Sequence, residues 1–252
     1  MPWRWSLGRS LIAVWVAATC ALVAPASRAR ATTCAAPRGA DRRVAEIDGR
    51  DRLRWIDLRL GEEAARARFW SGAWAVGIGA GGLASLAAVP FVAAGDRVDW
   101  YTGAVTAAIG VVPFLVSPLA VTRDAPVLRA AIADAPAGDD ARVCALLVDA
   151  EGRLAAGAAN ERWQQGWWIH AGNIAFNTGV LLFLGLGYHH WTSGIVNGAA
   201  GVLVGEAIIV TQPTGAIDDL GAYDRGLATA AGRDHARRGW ASWTYTASGW
   251  AF

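Results

Sequence analysis

The chain has 252 residues, 54% of them hydrophobic and 17% charged, whereas an average soluble domain carries roughly 25% charged residues. Its 23 basic residues are all arginines, and 21 acids bring the net charge to +2, so there is no case for a nucleic-acid partner. The arginines are mixed with acids rather than with stacking aromatics, and the missing lysine is read as coding bias.

Residues 1–31 read as an export signal. Arg4 and Arg9 make a positive start, residues 11–23 a short apolar core, and Ala29-Arg30-Ala31 an A-x-A cleavage site. An uncleaved anchor is the alternative, and lipidation at Cys20 is disfavoured by Thr19 before it. Cleavage leaves Cys34 and Cys144. In an oxidising compartment these two either pair or remain free thiols, and a bridge is the preferred expectation because both lie in polar segments on the same side.

The first polar helix follows, with Leu53, Ile56, Leu60, Ala64 and Ala67 on one stripe. Four apolar stretches then occupy residues 69–94, 103–121, 167–187 and 194–210. Each is close to the roughly 20 residues that cross a bilayer core as a helix. They pair through two short connections, "GDRVDW" and "YHHW". Between the pairs, residues 124–142 read as a turn-rich linker with a short helix at most. A second polar helix begins near residue 143, with Leu147, Ala150, Leu154 and Ala158 on its stripe. No proline separates either polar helix from the apolar stretch after it, so both are expected to run on as long rods. Residues 213–252 read as an exposed tail. Its end alternates around Trp243 and Tyr245 and closes on Phe252, which suits an aromatic segment at the membrane interface.

The two halves resemble each other. A shift of 94 puts Leu53 on Leu147, Arg59 on Arg153, Arg68 on Arg162, Gly72 on Gly166 and Trp74 on Trp168. Past the first turn the shift becomes 91, matching Trp100 with Trp191, Gly103 with Gly194 and Gly110 with Gly201. The expected fold is therefore all-α and polytopic. It has four transmembrane helices in two parallel hairpin repeats, residues 32–123 and 143–212, each led by a long amphipathic helix.

Small residues let membrane helices approach. Gly194, Gly198, Gly201 and Gly205 share one face, Gly103, Ala107 and Gly110 the matching one, and Gly77 and Gly81 a third. Pro113 and Pro118 should bend or end the second membrane helix.

His170, Asn173 and Asn177 recur at i, i+3 and i+7 in an apolar stretch, and Glu206 returns to about their depth. Their equivalents by the 94 and 91 shifts are Val76, Gly79, Leu83 and Leu115, all without polar groups. The cluster is read first as a hydrogen-bonded clamp, then as a proton or solute path, and last as a catalytic or metal site. Histidine and glutamate can act as acid and base, but no nucleophile or known motif accompanies them. "GIGAGG" at Gly77 is discounted as a phosphate loop because it lies within an apolar helix. His189 and His190, with Asp96 and Asp99 on the neighbouring turn, could make a small metal site, but they are read first as solvated turn residues, and no metal or other cofactor is assigned.

The functional expectation is a cell-envelope membrane protein with an exported amino terminus. It serves as a structural or accessory subunit of a membrane complex rather than as an enzyme. Its expected partners are the lipid bilayer and other subunits or its own copies. The alternatives are a small transporter or proton-coupled component using His170 and Glu206, and a secreted membrane-inserting protein. Arg54, Arg59, Arg66, Arg68, Arg123, Arg129, Arg153 and Arg162 lie on the side that this topology places outside, against the positive-inside tendency, with only Arg97 on the other.

Overall fold

A computed structural model describes residues 31–136 and 138–226. The export signal, apart from Ala31, and the aromatic end around Trp243, Tyr245 and Phe252 lie outside the described residues. Those described form α-helices and short 3-10 turns, with no strand among them.

A short helix α1 (Arg43–Glu46) leads into α2 (Gly49–Ala88), which is 40 residues long. Asp48 caps it by accepting from Arg50 N at 2.8 Å. Then come α3 (Arg97–Val116), α4 (Ala120–Ala133), α5 (Asp140–Gln164), α6 (Trp167–Tyr188), α7 (Trp191–Val210) and α8 (Gly215–Asp224). Four helical stretches, within Gly49–Phe91, Ala94–Ala133, Asp140–Tyr188 and Trp191–Asp224, are long and apolar enough to cross a membrane.

The polar ends of these stretches gather into a head. The first half of α2 packs with α4, α5 and α8. Leu53, Ile56, Leu60, Ala64 and Ala67 of α2 are buried there, together with Leu147, Ala150, Leu154 and Ala158 of α5. The apolar remainders pair separately, α2 with α3 and α6 with α7. Their outward faces carry large exposed apolar side chains such as Val76, Leu115, Ile174 and Leu203, as lipid contact demands.

The structure departs from the expected element boundaries in four places. The segment read as a turn-rich linker is largely α4. A proline inside a helix costs about 3 kcal/mol, and α4 contains Pro126. Burying Val121 and Leu128 contributes about 1.5–3 kcal/mol each, which offsets that cost. The third apolar stretch is not continuous with the polar helix before it, because α5 stops at Gln164 and α6 restarts at Trp167. A side chain on Gly166 would overlap the Trp168 indole folded over it. The second membrane helix ends at Val116, just before Ser117-Pro118, so Val121 belongs to the head. The start of the presumed tail is α8, whose Ala216 and Tyr223 sit in the head core.

Candidate functional site

A buried polar network holds the head together. Arg52 is fully buried; it donates to Tyr223 Oη at 2.8 Å and to the Cys34 and Ala35 carbonyls at 3.0 Å. It also pairs with Glu151, which accepts the Tyr223 hydroxyl proton as well. Every group in this set has a partner, as burial of an ion pair requires. Burial and the bond to Glu151 push the Tyr223 phenol above its usual range. Cys34 and Cys144 are joined by a disulfide that ties the segment before α1 to the first turn of α5.

At the lower edge of the head two carboxylates meet the N-terminus of α8. Glu161 accepts from Ala216 N at 3.3 Å and Ile217 N at 3.1 Å, supplying caps that Thr214 does not. Glu63 is 1% exposed, pairs with Arg66 at 3.1 Å, and occupies the space that a side chain on Gly215 would need. Burial, then the charge of Glu63, raises the Glu161 carboxyl to about 8. Burial also raises Glu63, and it lifts Asp219 to about 6 despite Arg59 at 3.3 Å.

The polar residues of α6 and α7 lie just below the head. His170 Nδ1 and Glu206 Oε2 are hydrogen-bonded at 2.5 Å, and Asn173 Nδ2 donates to Glu206 Oε1 at 2.9 Å. Asn173 also reaches the Val202 carbonyl, and Asn177 donates back to the backbone and side-chain oxygens of Asn173 at 2.9 Å. The structure thus brings His170, Asn173, Asn177 and Glu206 into one chain of hydrogen bonds. His170 is one turn from the start of α6 and Glu206 one turn from the end of α7, and Trp163, Trp167 and Trp168 cluster at the joint just before His170. From the other hairpin Trp70 and Trp74 each donate to Thr211 Oγ1 at 3.2 Å, just past α7.

The glycine face of α7 lies against α6. A side chain at Gly194 would strike the Leu181 carbonyl and one at Gly198 the Asn177 carbonyl, while those at Gly201 and Gly205 would strike the amides of Asn177 and Asn173. In the other hairpin Gly103 lies against Ser85, and Gly110 against Ile78. Gly77 and Gly81 have open space beside them; the close approach is at Gly82, against Ala107. Ile78, Gly82 and Ser85 share one helical face, and Gly77 and Gly81 sit one residue away from it.

Sequence reasoning missed Arg52, Glu63, Glu161 and Tyr223. A signal was present for Glu161: one more step along the stripe Leu147, Ala150, Leu154, Ala158 lands on it. The same step in the first half lands on Ala67, an apolar residue. Arg52 and Glu63 likewise share the face of Ile56, Leu60 and Ala67. A charge on an apolar stripe marks a buried polar network.

Comparison of the chain with protein-family models, with curated proteins and with solved structures finds no match in any of the three.

Proposed function

We propose that this is a multi-pass cell-envelope protein serving as a structural or accessory subunit of a membrane complex. The observation that carries the reading is the His170–Glu206 pair. Its side chains remain 35% and 31% exposed on the surface of an otherwise apolar hairpin. Ionisable groups open to lipid are costly and are normally turned toward protein or water. A neighbouring subunit, either another protein or a second copy, covers the pair. A photo-reactive residue placed at Ile174 or Leu203 should capture a protein from intact membranes. Capture of lipid alone at both positions would overturn the reading.

The exported amino terminus and the duplicated architecture belong to the same proposal. Five arginines on the helix side, Arg54, Arg59, Arg66, Arg129 and Arg153, are ion-paired with head carboxylates, so their number there reflects the fold of the head. Support for duplication comes from the tryptophans, arginines and glycines that the 94 and 91 shifts bring into register, and from a small-residue face in each hairpin, Gly103 and Gly110 in one and Gly194 and Gly201 in the other, that lies against the facing helix.

A second reading, a proton-coupled component, is favoured by the short acid–base contact between His170 and Glu206. Glu206→Gln and His170→Asn separate it from the first, because neither replacement can pass a proton.

A further inference from the structure

On the side of the membrane opposite the head, three potential metal ligands meet from two hairpins. Asp96 and Asp99 stand at the start of α3, and His190 stands just before α7. One ligand atom from each lies within 4.8 Å of the other two. His190 Nδ1 and Asp99 Oδ1 are 2.8 Å apart. Two ligands held at about 2.1 Å and at right angles on one ion would be about 3 Å apart, so this spacing already suits a shared cation.

Asp96 is the more telling residue. It is the N-cap of α3, where an aspartate ordinarily accepts from the backbone of the first turn. Its side chain makes no such bond and lies with the other two ligands instead. Two carboxylates so placed repel each other unless positive charge joins them. Arg97, the adjacent basic residue, is exposed and makes no ion pair with either aspartate.

We propose that Asp96, Asp99 and His190 bind one divalent transition-metal cation of the Zn2+, Mn2+ or Fe2+ class. An imidazole beside two carboxylates suits these ions better than Ca2+ or Mg2+, which favour all-oxygen sites. Three protein ligands leave coordination positions for water. The cation takes the Nδ1 lone pair of the neutral imidazole, whose ring proton then sits on Nε2, so protons compete with the metal for the same ligand atoms and binding weakens in acid. Because Asp96 and Asp99 belong to one hairpin and His190 to the other, the ion staples the pairs together at the end remote from the head.

The full chain, purified in detergent without a histidine tag and freed of metal with a chelator, should be titrated with Co2+ and then with Zn2+. One equivalent of Co2+ should give visible ligand-field bands that Zn2+ removes. Asp96→Asn should weaken Zn2+ binding tenfold or more, and His190→Ala should abolish the Co2+ bands. Asp96 is exposed and bonded to nothing that the fold needs, so its variant should keep the wild-type helical circular dichroism. If His190 and Asp99 form only an ion pair, Asp96 is dispensable. Zn2+ affinity unchanged in Asp96→Asn, or no saturable binding by the wild type, would overturn the proposal.

Discussion

Glu206 is hydrogen-bonded to both His170 and Asn173 across the α6–α7 interface, so both of its oxygens are occupied by residues of one facing helix. If the contact only clamps the hairpin, Glu206→Gln should be mild. Membrane hydrogen bonds average about 0.6 kcal/mol, and the amide removes a charge that lipid disfavours. If the pair carries protons, Glu206→Gln and His170→Asn should each abolish function while leaving normal amounts of folded protein. Abundance and growth phenotype, measured together in both variants, decide the matter. Full function in both eliminates the relay.

Gly201 and Asn177 provide a test of packing. The Asn177 amide fills the space where a side chain on residue 201 would project. Gly201→Ala should therefore lower the thermal stability of the detergent-solubilised protein, and adding Asn177→Ala should restore part of the loss. Gly81→Ala, which meets nothing within 4 Å, should leave stability unchanged or slightly raised. Equal losses at positions 81 and 201 would mean that the glycine face is not where the hairpin closes.

What was legible in the sequence followed from periodicity. The stripes through Leu53 and Leu147 pointed to the buried faces of α2 and α5, and hydropathy marked the four long apolar helices. The joint between α5 and α6 was not legible, because neither Gln165 nor Gly166 forbids a helix. At the joint the Trp168 ring packs over Gly166, a local contact between residues two apart that neither periodicity nor composition shows. The helix through Pro126 was hidden for a related reason, since local propensity opposed it and burial of Leu128 prevailed.

The Cys34–Cys144 bridge closes a separation of 110 residues. Loops of that size stabilise by about 4–5 kcal/mol in the chain-entropy account. After thiol blocking, the mature protein should show no free thiol on non-reducing electrophoresis. Replacing both cysteines by alanine should lower the melting temperature of the head, with less effect on the membrane hairpins. Labelling of both cysteines without reductant would rule the bridge out.

Topology is open to labelling with an impermeant thiol reagent, in a background where the native pair is replaced. Arg42 and Ala93 are both exposed and lie at opposite ends of α2. Arg42→Cys should react in intact cells and Ala93→Cys only after permeabilisation. The reverse pattern would place the head inside and make the arginine distribution the better guide.

Glu161 gives the head a dependence on pH. Its folded carboxyl titrates at about 8 against an ordinary 4.5, chiefly because of burial and then because of Glu63. The folded state therefore holds a proton that the unfolded chain releases. Stability contributed by the protonated form is complete below about 4.5 and is lost as pH rises toward 8. Asp219, raised to about 6, adds the same sign over a lower range. The melting temperature of the head should thus fall between pH 5 and pH 8.5, a range set by these two groups. Glu161→Gln should flatten much of that fall, although the variant starts lower in acid. The amide leaves one of the Ala216 and Ile217 N–H groups without an acceptor. A wild-type melting temperature that rises across this range, or an equal slope in the variant, would show that the Glu161 proton is not what α8 docking depends on.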